Sequence, residues 1–498
     1  MNKKEENMQA EDLVIAAKFP PVTSTSGVVF AKRILNDKKP IDLVQGQFKG
    51  ALDEEFNQVL EDYIDNRIII DIDPYSDTAE TSDKFRIDGM NHIESLNKGY
   101  KTIKTRCFPT TNHFLAFEYK LNHPNTTWIA EFSDPIMVNL ENKRRGKSER
   151  YHYKNEDFLN KVNSRIQELN CDFPLIEKGE TVYFIAEYLA YLFADKIIFT
   201  NKNQQEVMLK GFPYDIRDTV LEKSEIRIHP TLRDEYYHIK ETDYNVDDEC
   251  INLGYFGTYL AKRNFETLFY SMESLDNDLK HKIKLHLFIS DDEDGKNLKK
   301  IIKGLDIHED IIFNEKVSLL EFLNLSTKLD VLIVNDTLTK GYFDVNPFLA
   351  SKYSDYLGSG NDIWAICEEY SVLDSLDIKY KSYIDDYQST KDTLYKIIQD
   401  RFDVELNSLN LKEELASQND YLKSRVNYLN QIMPKGKSND KEIEKLKKEN
   451  AKLKKENSKL KKENAKLKKE NSKLKKKNNE ILNSNSWKLT KVFRKSKK

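Results

Sequence analysis

The chain has 498 residues and a mass of 58.4 kDa, too long for one domain and enough for two plus an extension at about 100–200 residues per domain. Hydrophobic residues make up 39% and aromatics 11%, enough for real cores, while charged residues reach 33%, above the ~25% of an average globular chain. The net charge of −4 hides a split: residues 441–498 hold 23 Lys+Arg against 7 Glu, a net of +16, which leaves 56 basic against 76 acidic residues, a net of −20, in the rest. Cys107, Cys171, Cys250 and Cys367 form no CxxC pair, which argues against a structural zinc site and a dense disulfide framework. The opening MNKKEENMQAED leads into no apolar h-region, and no apolar run approaches the ~20 residues of a membrane span. A cytoplasmic, soluble chain is expected.

In chain order, strand candidates of the first half are 12–17 (DLVIAA), 41–44, 67–72 (RIIIDI), 127–131 and 196–200 (KIIFT). Amphipathic stretches at 26–35, 56–64, 158–169 and 182–193 separate them. The second half offers strands at 251–256, 284–290 (KLHLFIS), 311–314, 331–334 and 363–367, with helical patterns at 264–274, 298–303, 318–325 and 350–357. Apolar strands alternating with helices predict parallel sheets covered on both faces. The charged stretch between Pro213 and Glu249, which includes Pro230, is the expected junction. Neither half carries GxGxxG or a Walker lysine loop, which argues against ordinary dehydrogenases and P-loop enzymes.

From Lys445 a seven-residue repeat runs KLKKENA, KLKKENS, KLKKENA, KLKKENS, KLKKKNN. Leu446, Leu453, Leu460, Leu467 and Leu474, continued by Ile481, fill one seam position, and Asn450, Asn457, Asn464, Asn471 and Asn478 the other. Such heptads predict a coiled coil whose seam asparagines restrict register at a cost in stability. A single charged helix is the plainer alternative. The end, ILNSNSWKLTKVFRKSKK, joins Trp487, Leu489, Val492 and Phe493 to six basic residues after Trp487, a composition suited to an anionic membrane surface or an acidic partner. Specific nucleic-acid binding is not expected.

Open αβ sheets bind ligands beyond the carboxyl ends of their strands, so the loops there come first. FPPVTSTSGVVFAKR follows the opening strand, and Gly27 permits close backbone approach at the next helix N-terminus. In GYFGTYLAKRNFE, Gly257 opens a loop, and Lys262 and Arg263 stand ahead of a helix, suited to phosphate oxygens. In VNPFLASKYSDYLGSGNDIWAICEE, a helix begins near Ser351, Lys352 and Asp355 lie three apart, and Gly358 and Gly360 end it before IWAIC.

On these motifs the sequence resembles GT-B fold glycosyltransferases of the group-1, glycogen-synthase-like family, over roughly residues 10 to 400. The SKxxDYLxSG run is similar to the family's PxxSKxxEYLxxGxPI segment, and AYLFADKIIFTNKNQQEVML to its ADxVIxxSxxxxExL stretch. The resemblance implies an α/β chain with two Rossmann-like, doubly wound parallel-sheet domains, followed by the helical coiled coil. Residues 1–215 would form the acceptor domain, 216–249 the linker and 250–405 the nucleotide-sugar domain; 406–439 would be a helical connector, 440–482 the coiled coil and 483–498 the basic aromatic tail. It also implies a sugar transferase acting on a cell-surface glycan or glycolipid, with no metal or cofactor; the heptads add a homo-oligomer through the coil, and the basic aromatic tail a cytoplasmic chain with peripheral contact at the inner face of the membrane.

By the same resemblance the donor is held by Gly27, Gly257, Lys262, Arg263, Ser351, Lys352 and Asp355, with Asp355 on the ribose hydroxyls. His113 and Asp134 are the catalytic candidates beside an acceptor hydroxyl. The family's first Glu, eight residues before the second acid, is Pro347 here, so that sugar contact is either missing or supplied by Asp336 or Asp344; Asn361 and Asp362 also depart from the pattern. Asp71-Ile72-Asp73 matches the letters of a metal box but sits on an early strand of the acceptor half. His229-Pro230 is expected to shape the hinge. Two other readings remain at this point: a non-catalytic scaffold assembled through the coil, and a GT-B epimerase.

Overall fold

The computed structural model describes residues 9–169, 173–257 and 266–402, with the single positions 448 and 473. Among the described residues, both sheets lie in one compact body made of residues 9–169, 173–257 and 281–396; residues 266–280 and 397–402 belong to a second unit. Lys262 and Arg263, and the segments expected as connector, coiled coil (apart from those two positions) and tail, lie outside the described residues.

The first sheet contains β1 (Asp12–Ile15), β2 (Ile41–Gly46), β3 (Ile64–Ile70), β4 (Thr102–Cys107), β5 (Thr127–Phe132), β6 (Lys196–Phe199) and β7 (Ser224–Ile226). Its order is β3-β2-β1-β4-β5-β6-β7, with every pairing parallel. The second contains β8 (Ile251–Gly257), β9 (Ile283–Ile289), β10 (Ile311–Asn314), β11 (Val331–Asn335), β12 (Asp362–Cys367) and β13 (Tyr380–Tyr383), ordered β10-β9-β8-β11-β12-β13 and again parallel. These are the two doubly wound sheets expected. The order reverses between β1 and β4 and between β8 and β11, so each sheet has one switch point where a crevice opens beyond the strand ends.

Strands buried on both faces read as near-continuous apolar runs, and β1 and β8 follow that rule. β4 (TIKTRC) does not, yet it is central: Ile103, Thr105, Arg106 and Cys107 are all buried. The helices Ala79–Ser95 and Thr111–Asn122, and strand β13, are further elements that the pattern left unmarked. The stretch expected as a linker begins with sheet structure, since the helix Tyr214–Glu222 and β7 extend the first sheet into it.

Past β7 the chain is stitched to both halves. Asn36 Nδ2 donates to Thr231 O (2.9 Å), Tyr236 OH to Leu35 O (3.3 Å) and Tyr237 OH to Asp355 O (2.5 Å). Ser354 Oγ donates to His229 O (2.7 Å), and Asn324 Nδ2 to Tyr237 O (3.1 Å). Leu232, Tyr236 and Tyr237 join one apolar cluster with Phe30 and Leu35 of the first half and Phe256 and Tyr356 of the second. The junction is therefore a packed strap, and His229 is buried within it with its ring 3.2 Å from Leu349 O.

Candidate functional site

At the second switch point β8 ends in Gly257 at φ +127, a conformation that side-chain-bearing residues avoid. A Cβ there would stand 2.6 Å from Lys352 Cε and 2.7 Å from its Nζ. Lys352 thus lies directly on the backbone at the end of β8, and the missing side chain is what lets it. Lys352 opens the helix Lys352–Ser359, whose N-cap Ser351 spends no side-chain hydrogen bond on capping. The positive end of that helix, the Lys352 ammonium and the Gly257 backbone converge on one place, an arrangement suited to an anion such as a diphosphate. Of the expected donor residues, the structure brings together Gly257, Ser351 and Lys352.

The loops beside them are held by two acids. Glu368, just past β12, accepts from Thr339 N (3.0 and 3.1 Å), Thr339 Oγ1 (2.7 Å), Asn346 Nδ2 (2.8 Å) and Lys340 N. Asp336, just past β11, accepts from Glu368 N (3.0 Å) and Ser371 Oγ (2.5 Å). Asp336 therefore serves loop architecture, and Asp344 pairs at the surface with Lys210. The first half grips the same loop: Asn201 Nδ2 donates to Pro347 O and Asn203 Nδ2 to Asn346 O, both at 3.0 Å. The pattern of letters did not flag Glu368, although an acid closing an apolar strand is unusual unless it is satisfied.

Asp355 does something other than the expected ribose contact. Its carboxylate is ion-paired with Lys32 of the helix Thr25–Asp37, and the two side chains are only 4% and 3% exposed. Nearby, Glu131 is gripped by the Arg33 fork (Nε and Nη2, both 2.8 Å) and by Arg106. Burial alone would raise the Glu131 carboxyl, but Arg106 and Arg33 hold it below its usual range. His229 sits beside this group; burial, with Arg106 next, lowers it to about 3, so the ring is neutral. Cations and carboxylates so deeply placed need partners, and here the partners join elements distant in sequence.

His113 is fully buried, packed edge-on to Trp128 and Phe132, with Nδ1 donating to Ala186 O (3.0 Å). Burial lowers it to about 4. That is a core histidine, and its expected contact with an acceptor hydroxyl is withdrawn. Asp134 is half-buried two residues beyond the carboxyl end of β5, a position compatible with an acceptor. Gly27 is a packing glycine: a Cβ there would stand 2.1 Å from Lys18 O, so the first helix closes tightly on the loop after β1. Asp71 and Asp73 are engaged by Gln47 and Lys49, both at 2.5 Å. Among the described residues, no helix is long and apolar enough to cross a membrane.

No family model matches the chain, and no curated protein does. Solved structures with a similar course include sucrose-phosphate synthase from Thermosynechococcus elongatus, at 12% identity and TM-score 0.49, covering 79% of this chain and 90% of that one. A glycosyltransferase from Rickettsia africae ESF-5 matches at 11% identity and TM-score 0.49, covering 83% and 94%. HepE of Anabaena, in complex with UDP and glucose, matches at 10% identity and TM-score 0.49, covering 78% and 90%. At such similarity, what the chain does has to be read from its own residues.

Proposed function

We propose that the chain is a nucleotide-sugar-dependent glycosyltransferase that extends a cell-surface glycan or glycolipid, with the donor held by the second sheet and the acceptor by the first. The observation that carries this reading is Lys352 lying on Gly257 at the positive end of its helix, on the sequence run that resembles the family's donor segment. Glycosyl transfer from a nucleotide develops negative charge on the leaving diphosphate, and a fixed ammonium with a helix N-terminus stabilises that charge as it forms. Glu368 and Asp336 keep the neighbouring loops in place, which lowers the reorganisation needed when the donor arrives. Asp134 is the remaining candidate on the acceptor side. The same reading has Lys262 and Arg263 assist the diphosphate, residues 440–482 pair into a homo-oligomer, and the basic tail rest on an anionic membrane at its cytoplasmic face.

The test is release of nucleoside diphosphate from a panel of nucleotide-sugars, with and without glycan and glycolipid acceptors. Acceptor-dependent release supports the transferase; release without acceptor, or none from any pair, counts against it. The buried Lys32–Asp355 pair favours a second reading, a non-catalytic scaffold, because the acid expected to hold a ribose is already engaged. Failure of every nucleotide-sugar to bind would select that reading.

A further inference from the structure

The first sheet has a switch point of its own, between β1 and β4, and two cations stand at it. Lys18, three residues past β1, holds its ammonium 4.9 Å from the centre of the Tyr75 ring. Arg145 stacks its guanidinium 5.1 Å from the centre of the Phe108 ring and donates from Nε to Val138 O (2.9 Å). Both side chains are half-buried, and among the described residues no carboxylate pairs with Lys18 or with the Nη atoms of Arg145. Lys32, by comparison, is ion-paired with Asp355, while Arg33 and Arg106 share Glu131.

Each aromatic ring fixes its cation in place, so the free donors are preorganised: a fork of Nη atoms on one side and a point charge on the other. Asp77 lies in the same region and turns Oδ1 to Thr110 N (2.8 Å) and Thr110 Oγ1 (3.1 Å). Burial pushes the Asp77 carboxyl up, while Thr110, Lys18 and Arg145 pull it back, so both cations act on the same small region. Lys18 follows β1 and Arg145 stacks on Phe108, which follows the neighbouring β4, and a planar guanidinium fork and an ammonium both suit the oxygens of a phosphate group.

We propose that Lys18 and Arg145 form a phosphate-binding subsite at the carboxyl end of the first sheet, which recognises a phosphate group carried by the acceptor. The acceptor role rests on the transferase reading above; the subsite itself does not. The phosphate could belong to a soluble phosphate ester or to a lipid headgroup, and the chemistry recognised is the same.

The test uses the full chain, with glycerol 3-phosphate and phosphatidic acid vesicles as the two probes and glycerol and phosphatidylcholine vesicles as neutral controls. Lys18→Gln, Arg145→Gln and Lys352→Ala are compared with wild type, and melting temperatures confirm folding; Arg145→Lys serves if the glutamine variant fails to fold. The expected result is that at least one phosphate probe binds and its neutral control does not. Lys18→Gln and Arg145→Gln should each weaken that binding about tenfold, the loss of one charge-assisted contact, and Lys352→Ala should leave it unchanged. Preference between the probes identifies the source. Absence of binding by both probes, equal binding by all variants, or loss only in Lys352→Ala overturns the subsite. If the subsite stands while no nucleotide-sugar binds, the transferase reading fails and the subsite does not.

Discussion

Replacing Asp355 by alanine should destabilise the whole body that carries both sheets. The substitution leaves the Lys32 ammonium 3% exposed with its partner gone. Removing one member of a buried pair costs about 3–5 kcal/mol, because the surviving charge stays desolvated. Replacing both members, Lys32→Met with Asp355→Leu, should recover most of that loss, since apolar groups of similar volume substitute for buried pairs at little cost. Urea unfolding reports it, with Trp128 of β5 and Trp364 of β12 as fluorescent probes on the two sheets. The expected coupling in the double-mutant cycle is about 3 kcal/mol or more. If the single variant costs under ~0.5 kcal/mol, as an exposed helical residue would, or if the two substitutions simply add, the pair does not bind the halves together.

Glu187 is fully enclosed, and burial pushes its carboxyl up to about 8. The folded chain therefore keeps a proton that the unfolded chain sheds above about 4.5, so stability present below that pH is lost as pH rises toward 8, by up to ~1.4 kcal/mol per pH unit. Glu187→Gln should flatten the fall in melting temperature between pH 5 and 8, and an unchanged slope would show that another group is responsible. Gly257→Ala should displace Lys352 by steric contact, lower the melting temperature, and weaken nucleoside diphosphate binding more than nucleoside binding. Glu368→Gln should speed hydrogen exchange at Thr339 and Lys340, whose amides its carboxylate accepts; unchanged exchange would mean the loop holds itself.

The sheets were legible wherever both faces of a strand are buried, because burial without charge leaves an apolar run, as in β8 (INLGYFG). β4 escaped because its polar residues are engaged by partners elsewhere in the chain: Thr105 Oγ1 accepts from Trp128 Nε1 (2.9 Å), and Arg106 pairs with Glu131. No local pattern announces such pairs. The run from Ser351 to Gly360 stood out as a pattern of letters, and Gly257 and Lys352 do meet. The partner of Asp355 was not, since Lys32 lies 323 residues away and the pairing exists only once the strap has packed the two halves together. His113 looked like a cleft residue for the same reason, as only the fold reveals Trp128 and Phe132 around its ring.

On the proposed function, a nucleoside diphosphate binds where Lys352 meets Gly257. Calorimetric titration of a set of nucleoside diphosphates and their nucleosides into wild type and Lys352→Ala tests it directly. At least one diphosphate should bind wild type, and Lys352→Ala should weaken it about tenfold or more, the loss of a charge-assisted contact, while the matching nucleoside changes little. Binding of no diphosphate at all, or equal affinity in both proteins, would contradict it.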